Sequence, residues 1–235
     1  MIGLHWYPPI LTYHRVHPNP AGDTPTLSPA AFDRQMALLA RHWQPVPLAT
    51  LAGWLERQGG LPPRAVAVTF DDGTEDTATQ ALPILARYGV PATVFMITEN
   101  IGRTGFLTRD QLLALRKGGV TIGSHTVRHA YLPSLAPDRM HQELIDSRRQ
   151  LGDLLGRPPE FLSYPGGGYT PVIAHAAREA GYRAACTTNR GMLRMPIDPW
   201  ALRRITAHPS ATAWPGMALL CSGYYNAFRR LRAPS

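Results

Sequence analysis

The sequence alternates almost to its end between short apolar runs and longer segments with helical signals. The apolar runs have the length of β-strands and are Ile10–His14, Gln44–Pro47, Ala65–Phe70, Ala92–Ile97, Val120–Ser124, Phe161–Tyr164, Arg183–Thr188 and Leu202–Thr206. Such alternation predicts parallel strands covered by helices. Because there are seven or eight strands and no glycine-rich dinucleotide fingerprint, an α/β barrel is favoured over an open Rossmann sheet.

The helical segments carry recognisable start and stop signals. Ser28 followed by Pro29 begins one helix, and Thr108 with Gln111 forms a capping box at the start of another. A long helix is predicted from about Pro137 to Leu155, ahead of Gly156. Thr170-Pro171 begins a further helix that Gly181 closes.

Composition indicates one domain over residues 1–235. A chain of 235 residues with 44% hydrophobic content can bury a substantial single core. The 23 prolines lie at element edges, which indicates short, stiff loops. Cys186 and Cys221 form no C-x-x-C motif, so we interpret them as core residues and expect no disulfide framework.

The net charge of +8 does not by itself indicate a nucleic-acid partner, because the arginines are spread along the chain without an interleaved aromatic stripe. No signal peptide or transmembrane run is recognisable, so a cytoplasmic location is expected. Residues 210–235 differ in composition and predict an aromatic helix with a basic end. Packing on the barrel is the favoured interpretation of this helix, and weak peripheral contact with an anionic membrane is the alternative. The aromatic, apolar and basic residues concerned are Trp214, Met217, Leu219, Leu220, Tyr224, Tyr225, Phe228, Arg229, Arg230 and Arg232.

Candidate catalytic residues follow two of the predicted strands. Asp71 and Asp72 end the strand Ala65–Phe70, and His125 and His129 follow the strand that ends at Ser124. The carboxyl ends of barrel strands meet at one face, where barrel enzymes carry their chemistry. One of the two aspartates and the histidine pair would supply three ligands to a divalent metal, and the other aspartate could act as a base. The pattern therefore predicts a metal-dependent hydrolase.

Two motifs resemble those of the polysaccharide deacetylases, the NodB-homology carbohydrate esterases. They are Thr69-Phe70-Asp71-Asp72-Gly73 and Ser124-His125-Thr126-Val127-Arg128-His129, and the likeness extends from Ile10 to Thr206. The resemblance implies a distorted (β/α) barrel and removal of N-acetyl, occasionally O-acetyl, groups from sugar polymers. It also implies that Asp72, His125 and His129 hold the metal and that Asp71 is the general base.

The remaining site residues follow from the same resemblance. The segment Tyr13-His14-Arg15-Val16 is similar to the biofilm-polysaccharide deacetylases, in which an early histidine is the general acid. His14 is therefore favoured over His208, which follows the last strand, as the group that protonates the leaving amine. In the motif Ser163-Tyr164-Pro165-Gly166-Gly167-Gly168, the backbone N–H of Gly166 is the predicted oxyanion donor, and Tyr164 is a further predicted oxyanion or substrate contact.

The sequence departs from the family pattern at Ser163. Many members have an arginine there that pairs with the catalytic aspartate, and Arg204 on the last strand is the predicted substitute.

The motifs and the resemblance together lead us to expect deacetylation of N-acetylhexosamine units in an exopolysaccharide or a lipid-linked saccharide. The alternatives are an amidohydrolase for small cyclic or ureide-type amides and a degenerate glycan-binding scaffold. Two histidines and one aspartate suit Zn²⁺ best and also Co, Ni or Fe. The sequence leaves the identity of the glycan and the oligomeric state open.

Overall fold

The computed structural model describes residues 8–19, 24–57, 59–188 and 197–222. Its strands are β1 (Ile10–Tyr13), β2 (Arg15–Val16), β3 (Thr26–Leu27), β4 (Gln44–Pro45), β5 (Ala65–Phe70), β6 (Ala92–Met96), β7 (Thr121–Ser124), β8 (Phe161–Ser163), β9 (Ala184–Thr187), β10 (Leu202–Arg203) and β11 (Ile205–Thr206). Its α-helices are α1 (Pro29–His42), α2 (Leu48–Leu55), α3 (Leu82–Tyr88), α4 (Arg109–Lys117), α5 (Pro137–Leu155), α6 (Pro171–Glu179) and α7 (Trp214–Leu220). A π-helical turn, Thr77–Ala81, leads into α3.

The main sheet is parallel throughout and forms a nearly closed barrel. Its strand order is β10-β9-β8-β7-β6-β5-β1-β11. The two outermost strands are consecutive in the chain and flank Arg204, where the segment changes its partner. The Arg204 N–H donates to the Thr187 carbonyl at 3.1 Å, and the Ala207 N–H donates to the Thr12 carbonyl at 3.0 Å. The last strand segment therefore joins β9 to β1, and the predicted α/β barrel is confirmed.

Two predicted strands differ in detail. The predicted strand Leu202–Thr206 is divided at Arg204, because its first half bonds to β9 and its second half to β1. The predicted strand Gln44–Pro47 is shortened to β4, which pairs with β5 beside the barrel path. Pro45 and Pro47 have no N–H to donate to a ladder, which limits this segment to an edge position.

The helix signals act as predicted. The Ser28 side chain accepts a hydrogen bond from the Ala31 N–H at the start of α1, and Thr108 and Gln111 form the capping box of α4. The long helix α5 ends at Gly156, whose φ of 75° is the left-handed conformation that favours glycine at this position. Helix α6 ends at Glu179, two residues before Gly181.

Alternation along each strand divides the core into an inner and an outer set. On β5, Ala65 and Ala67 belong to the cluster that fills the barrel, together with Phe95 and Phe161. Val66 and Val68 belong instead to the larger cluster under the helices. The β5 side chains are buried on both faces, as parallel strands between a barrel interior and a helical layer require.

The C-terminal part of the described chain packs on the barrel. Met217 and Leu220 of α7 are buried in the cluster that contains α1, whereas Trp214 and Leu219 are exposed. The rest of the predicted aromatic and basic segment, residues 223–235, lies outside the described residues. Among the described helices, none combines the length and the apolar character needed to cross a membrane.

Candidate active site

Strand alternation directs five polar side chains to the inner face at the carboxyl end of the barrel. Each lies an even number of residues after an inner-facing strand residue, which places both on the same side of the strand. Asp71 lies four residues after Ala67, and Arg204 lies two residues after Leu202. The other three residues that follow this rule are His14, His125 and Ser163.

Asp71 is fixed by Arg204. The two carboxylate oxygens accept hydrogen bonds from Nη1 and Nη2 of Arg204 at 2.7 and 2.6 Å. The Asp71 side chain is 4% exposed and the Arg204 side chain 0%. Arg204 also donates to the Ser163 hydroxyl at 2.8 Å and to the Thr69 hydroxyl at 3.2 Å. The predicted contact between Arg204 and Asp71 is therefore present. Ser163 carries no charge, but its hydroxyl accepts a hydrogen bond from the guanidinium and so helps to position it.

This pair determines the charge of Asp71. Burial would raise the pKa of the Asp71 carboxyl, but the positive charge and hydrogen bonds of Arg204 lower it well below its usual value. Asp71 is consequently ionised at neutral pH. Its orientation is set by the two-point contact with a planar guanidinium.

Asp72 is turned away from Asp71 by the backbone. Its φ is 69°, a left-handed conformation that aspartate adopts more readily than most residues. Gly73 follows with a φ of 71°, and a Cβ at that position would collide with the Met96 side chain. This pair of left-handed residues re-aims the second carboxylate, and Asp72 Oδ1 lies 3.6 Å from Nε2 of both His125 and His129.

The tautomer of His125 suits a metal ligand. Its Nδ1 lies 2.7 Å from the Ser163 carbonyl, which can only accept, so Nδ1 carries the proton and Nε2 keeps a lone pair. Burial lowers the pKa of His125 despite the neighbouring carboxylates, which favours the neutral imidazole. One ligand atom each from Asp72, His125 and His129 lies within 4.8 Å of the others. Two imidazole nitrogens and one carboxylate oxygen are a donor set that fits Zn²⁺ and related divalent ions.

The other predicted residues lie at different distances from this centre. His14 is close enough to Asp71 to lower the pKa of that carboxyl, whereas His208 lies in an exposed turn where its Nδ1 accepts from the Ser210 N–H at 3.2 Å. Tyr164 is placed on the outer face of β8, because it lies an odd number of residues after Phe161. Its ring stacks on Tyr169 at 5.2 Å and its N–H donates to the Cys186 carbonyl. Neither the ring nor the N–H of Tyr164 is therefore directed at the inner face of the barrel, and Gly166 stays the predicted oxyanion donor.

Comparison with known proteins identifies the family. The sequence profile described as polysaccharide deacetylase matches residues 58–185, more than half of the chain. This chain belongs to the polysaccharide deacetylase family. It is 31% identical over 202 residues to a Bacillus subtilis protein named as a polysaccharide deacetylase, YxkH, covering 86% of this chain and 71% of that protein.

Two further relatives of the deacetylase extend the comparison. The peptidoglycan-N-acetylglucosamine deacetylase of Bacillus cereus is 32% identical over 121 residues, which cover 51% of this chain and 54% of that protein. The structure of the Streptococcus pyogenes deacetylase PplD in complex with acetate superimposes with a TM-score of 0.81 at 27% identity, covering 87% of this chain and 95% of that one. The family and the barrel predicted from the motifs are both confirmed.

One residue that holds the histidine loop of this deacetylase is absent from the sequence predictions. The buried Glu143 of α5 accepts hydrogen bonds from the N–H groups of Val127 and Arg128 at 2.8 and 2.9 Å. These bonds hold a loop in which Thr126 and His129 have φ values of 65° and 59°. A left-handed non-glycine residue costs about 1–3 kcal/mol and persists only where its surroundings impose it. A charged residue in the middle of a helix gives no sequence signal for this role, since most such residues are exposed.

Proposed function

We propose that this deacetylase is a metal-dependent hydrolase that removes N-acetyl groups from N-acetylhexosamine units of a glycan. The observation that carries the proposal is the convergence of Asp72, His125 and His129 beside an ionised Asp71 whose orientation Arg204 fixes. The Bacillus cereus relative, named for deacetylation of N-acetylglucosamine in peptidoglycan, supports an N-acetylated sugar as substrate.

The metal site is proposed to consist of Asp72, His125 and His129. A bound divalent cation supplies Lewis-acid chemistry there, because it polarises a carbonyl and makes coordinated water more acidic. Zn²⁺ is the favoured ion, and Co, Ni or Fe also suit the donor set. Glu143 supports this site by fixing the loop that carries His129.

The protein side chains handle the protons. Asp71 takes a proton from the attacking water as the water oxygen bonds to the acetamide carbon. The Gly166 N–H donates to the carbonyl oxygen as negative charge develops on it. His14 then gives a proton to the sugar nitrogen while the carbon–nitrogen bond breaks, which leaves acetate and a free amine. Asp71 and His14 both lie on the inner face at the carboxyl end of the barrel, as this division of roles requires.

The test is acetate release from N-acetylglucosamine oligomers by the purified protein. We expect activity that a chelator removes and that Zn²⁺, Co²⁺ or Ni²⁺ restores. A protein that contains no metal after purification and binds none on addition would contradict the proposal. Hydrolysis of small ureides without any release from oligosaccharides would indicate the small-amide alternative, and saccharide binding without turnover would indicate the glycan-binding scaffold.

A further inference from the structure

Tyr131 is a large exposed aromatic residue at the border of the proposed site. It lies two residues after His129, and the residue is 40% exposed. Its ring packs against the glycine turn that follows β8: a Cβ built on Gly166 would lie 3.6 Å from the ring. Tyr131 thus lies between the loop that carries two proposed metal ligands and the turn that carries the proposed oxyanion donor.

The glycine at position 168 makes room for this ring. Gly166 and Gly167 have φ values of 61° and 75°, so their backbone conformation accounts for glycine. Gly168 has a φ of −75° and a ψ of 125°, which any residue adopts. A Cβ at Gly168 would nevertheless collide with the Tyr131 ring, meeting its hydroxyl oxygen at 2.8 Å. The missing side chain at position 168 is therefore explained by close packing of the Tyr131 ring on the turn.

An exposed ring in a fixed position is suited to hold a sugar. The face of an aromatic ring carries partial negative charge, and the axial C–H groups of a pyranose present a weakly positive, apolar surface to it. Because the ring is packed on the turn, ordering it on binding costs little conformational entropy. Exposed apolar groups beside a catalytic centre are typical of substrate contacts.

We infer that Tyr131 is a substrate-binding residue that stacks on a pyranose ring of the N-acetylated glycan. The inference rests on the proposed function and adds to it the residue that recognises the sugar, apart from the groups that act on the acetamide. It assigns Tyr131 to binding and leaves proton transfer and metal binding to the residues named above.

The experiment measures kcat and KM for acetate release from an N-acetylglucosamine tetramer, together with metal content. In Tyr131→Ala, loss of a stacking contact is expected to raise KM between about twofold and twelvefold, the equivalent of 0.5–1.5 kcal/mol, with kcat within about twofold of the unmutated protein. Tyr131→Phe and Tyr131→Trp keep the ring and should keep KM. Trp214→Ala, which removes an exposed aromatic side chain on α7, is the matched control and should change neither constant.

A double-mutant cycle separates stacking from a general effect on the turn. Gly168→Ala displaces the Tyr131 ring and should raise KM when Tyr131 is present. It should have no further effect on KM in a protein that already carries Tyr131→Ala. Unchanged KM in Tyr131→Ala, or an equal rise in Tyr131→Phe, would overturn the stacking role while the deacetylase activity stands. If the unmutated protein released no acetate from any N-acetylated saccharide, the proposed function and this inference would both be rejected.

Discussion

The two aspartates of the site are neighbours in sequence and have opposite environments. Asp71, the proposed base, lies on what we call the base side, which it forms with Arg204 and Ser163 and which is closed to solvent, with the Asp71 side chain 4% exposed. Asp72, a proposed metal ligand, lies with His125 and His129 on what we call the ligand side, where its side chain is 21% exposed and the His129 side chain 43%. The contrast arises from one backbone step: strand alternation directs Asp71 inward, and the left-handed φ of Asp72 turns the next carboxylate towards the histidines.

This difference explains how two carboxylates can lie in one cleft without strong mutual repulsion. Two adjacent carboxylates that faced each other would repel, and one of their pKa values would rise. Arg204 instead neutralises Asp71, which leaves Asp72 available to a second positive charge. The base side is fixed by side-chain contacts within the barrel, whereas the ligand side depends on a strained loop that α5 holds from outside.

The largest expected effect separates the two aspartates. Asp71→Asn should lower turnover about 10²–10⁴-fold, because a positioned base contributes roughly that factor, while bound metal stays at the level of the unmutated protein. Asp72→Asn, His125→Ala and His129→Ala should lose metal and activity together. Metal content by elemental analysis and acetate release measure both outcomes. Near-normal turnover in Asp71→Asn would place the base elsewhere.

Arg204 tests the base side through stability. Arg204→Met leaves a buried carboxylate without its partner and should lower the free energy of unfolding by about 3–5 kcal/mol. Arg204→Lys keeps the charge but loses the two-point contact. Its free energy of unfolding should lie between those of Arg204→Met and the unmutated protein. Urea unfolding at pH 7 measures the difference. Equal stability of Arg204→Met and the unmutated protein would show that the pair contributes nothing.

The same pair predicts how stability depends on pH. The folded-state pKa of Asp71 is lowered, so the pair stabilises the fold above the pKa of an unfolded aspartate, about 3.9, and loses this contribution as pH falls towards the lower folded value. In Arg204→Met the buried carboxyl is expected to titrate above 3.9, and its penalty disappears on protonation. The stability gap between the two proteins should therefore begin to shrink as pH falls through the raised pKa of the variant carboxyl, and should shrink further below about pH 4.

Glu143 tests the ligand side. Glu143→Gln replaces the carboxylate that holds the N–H groups of Val127 and Arg128, and should weaken Zn²⁺ affinity about 10–100-fold, the usual cost of losing support behind metal ligands. Asp146→Asn removes an exposed carboxylate from the same helix and serves as the control. Competition with a chromophoric chelator measures both affinities. A Glu143→Gln protein with unchanged affinity would show that the loop keeps its shape without this contact.

The smallest expected effect concerns the closure of the base side. Burial raises the pKa of the thiols of Cys186 and Cys221 to about 12, and Arg204 only partly offsets this for Cys186. A thiol reagent at pH 8 should therefore modify neither cysteine in the native protein and both in urea. Rapid modification of Cys186 in the native protein would mean that solvent reaches the layer beneath Asp71.

Much of this site can be predicted from sequence because strand ends and alternation are local properties. Counting from Ala65 and Ala67 directs Asp71 inward, and the two motifs place His125 beside it. The same rule places Tyr164 on the outer face of β8, and the prediction that Tyr164 contacts the substrate conflicts with this alternation. Glu143 and Tyr131 could not be predicted, since their roles depend on packing between segments distant in sequence. The left-handed turn at Asp72 has a local signal only in Gly73.

Arg204 lies where the last strand segment leaves β9 and joins β1, so the residue that orients Asp71 also occupies the seam of the barrel. During synthesis, Asp71 leaves the ribosome 133 positions before its partner. Until residue 204 is delivered, a nascent chain holds the proposed base without the cation that aligns it. The proposed hydrolytic centre is therefore complete only when the last strand segment joins β9 to β1, so that its assembly coincides with completion of the barrel.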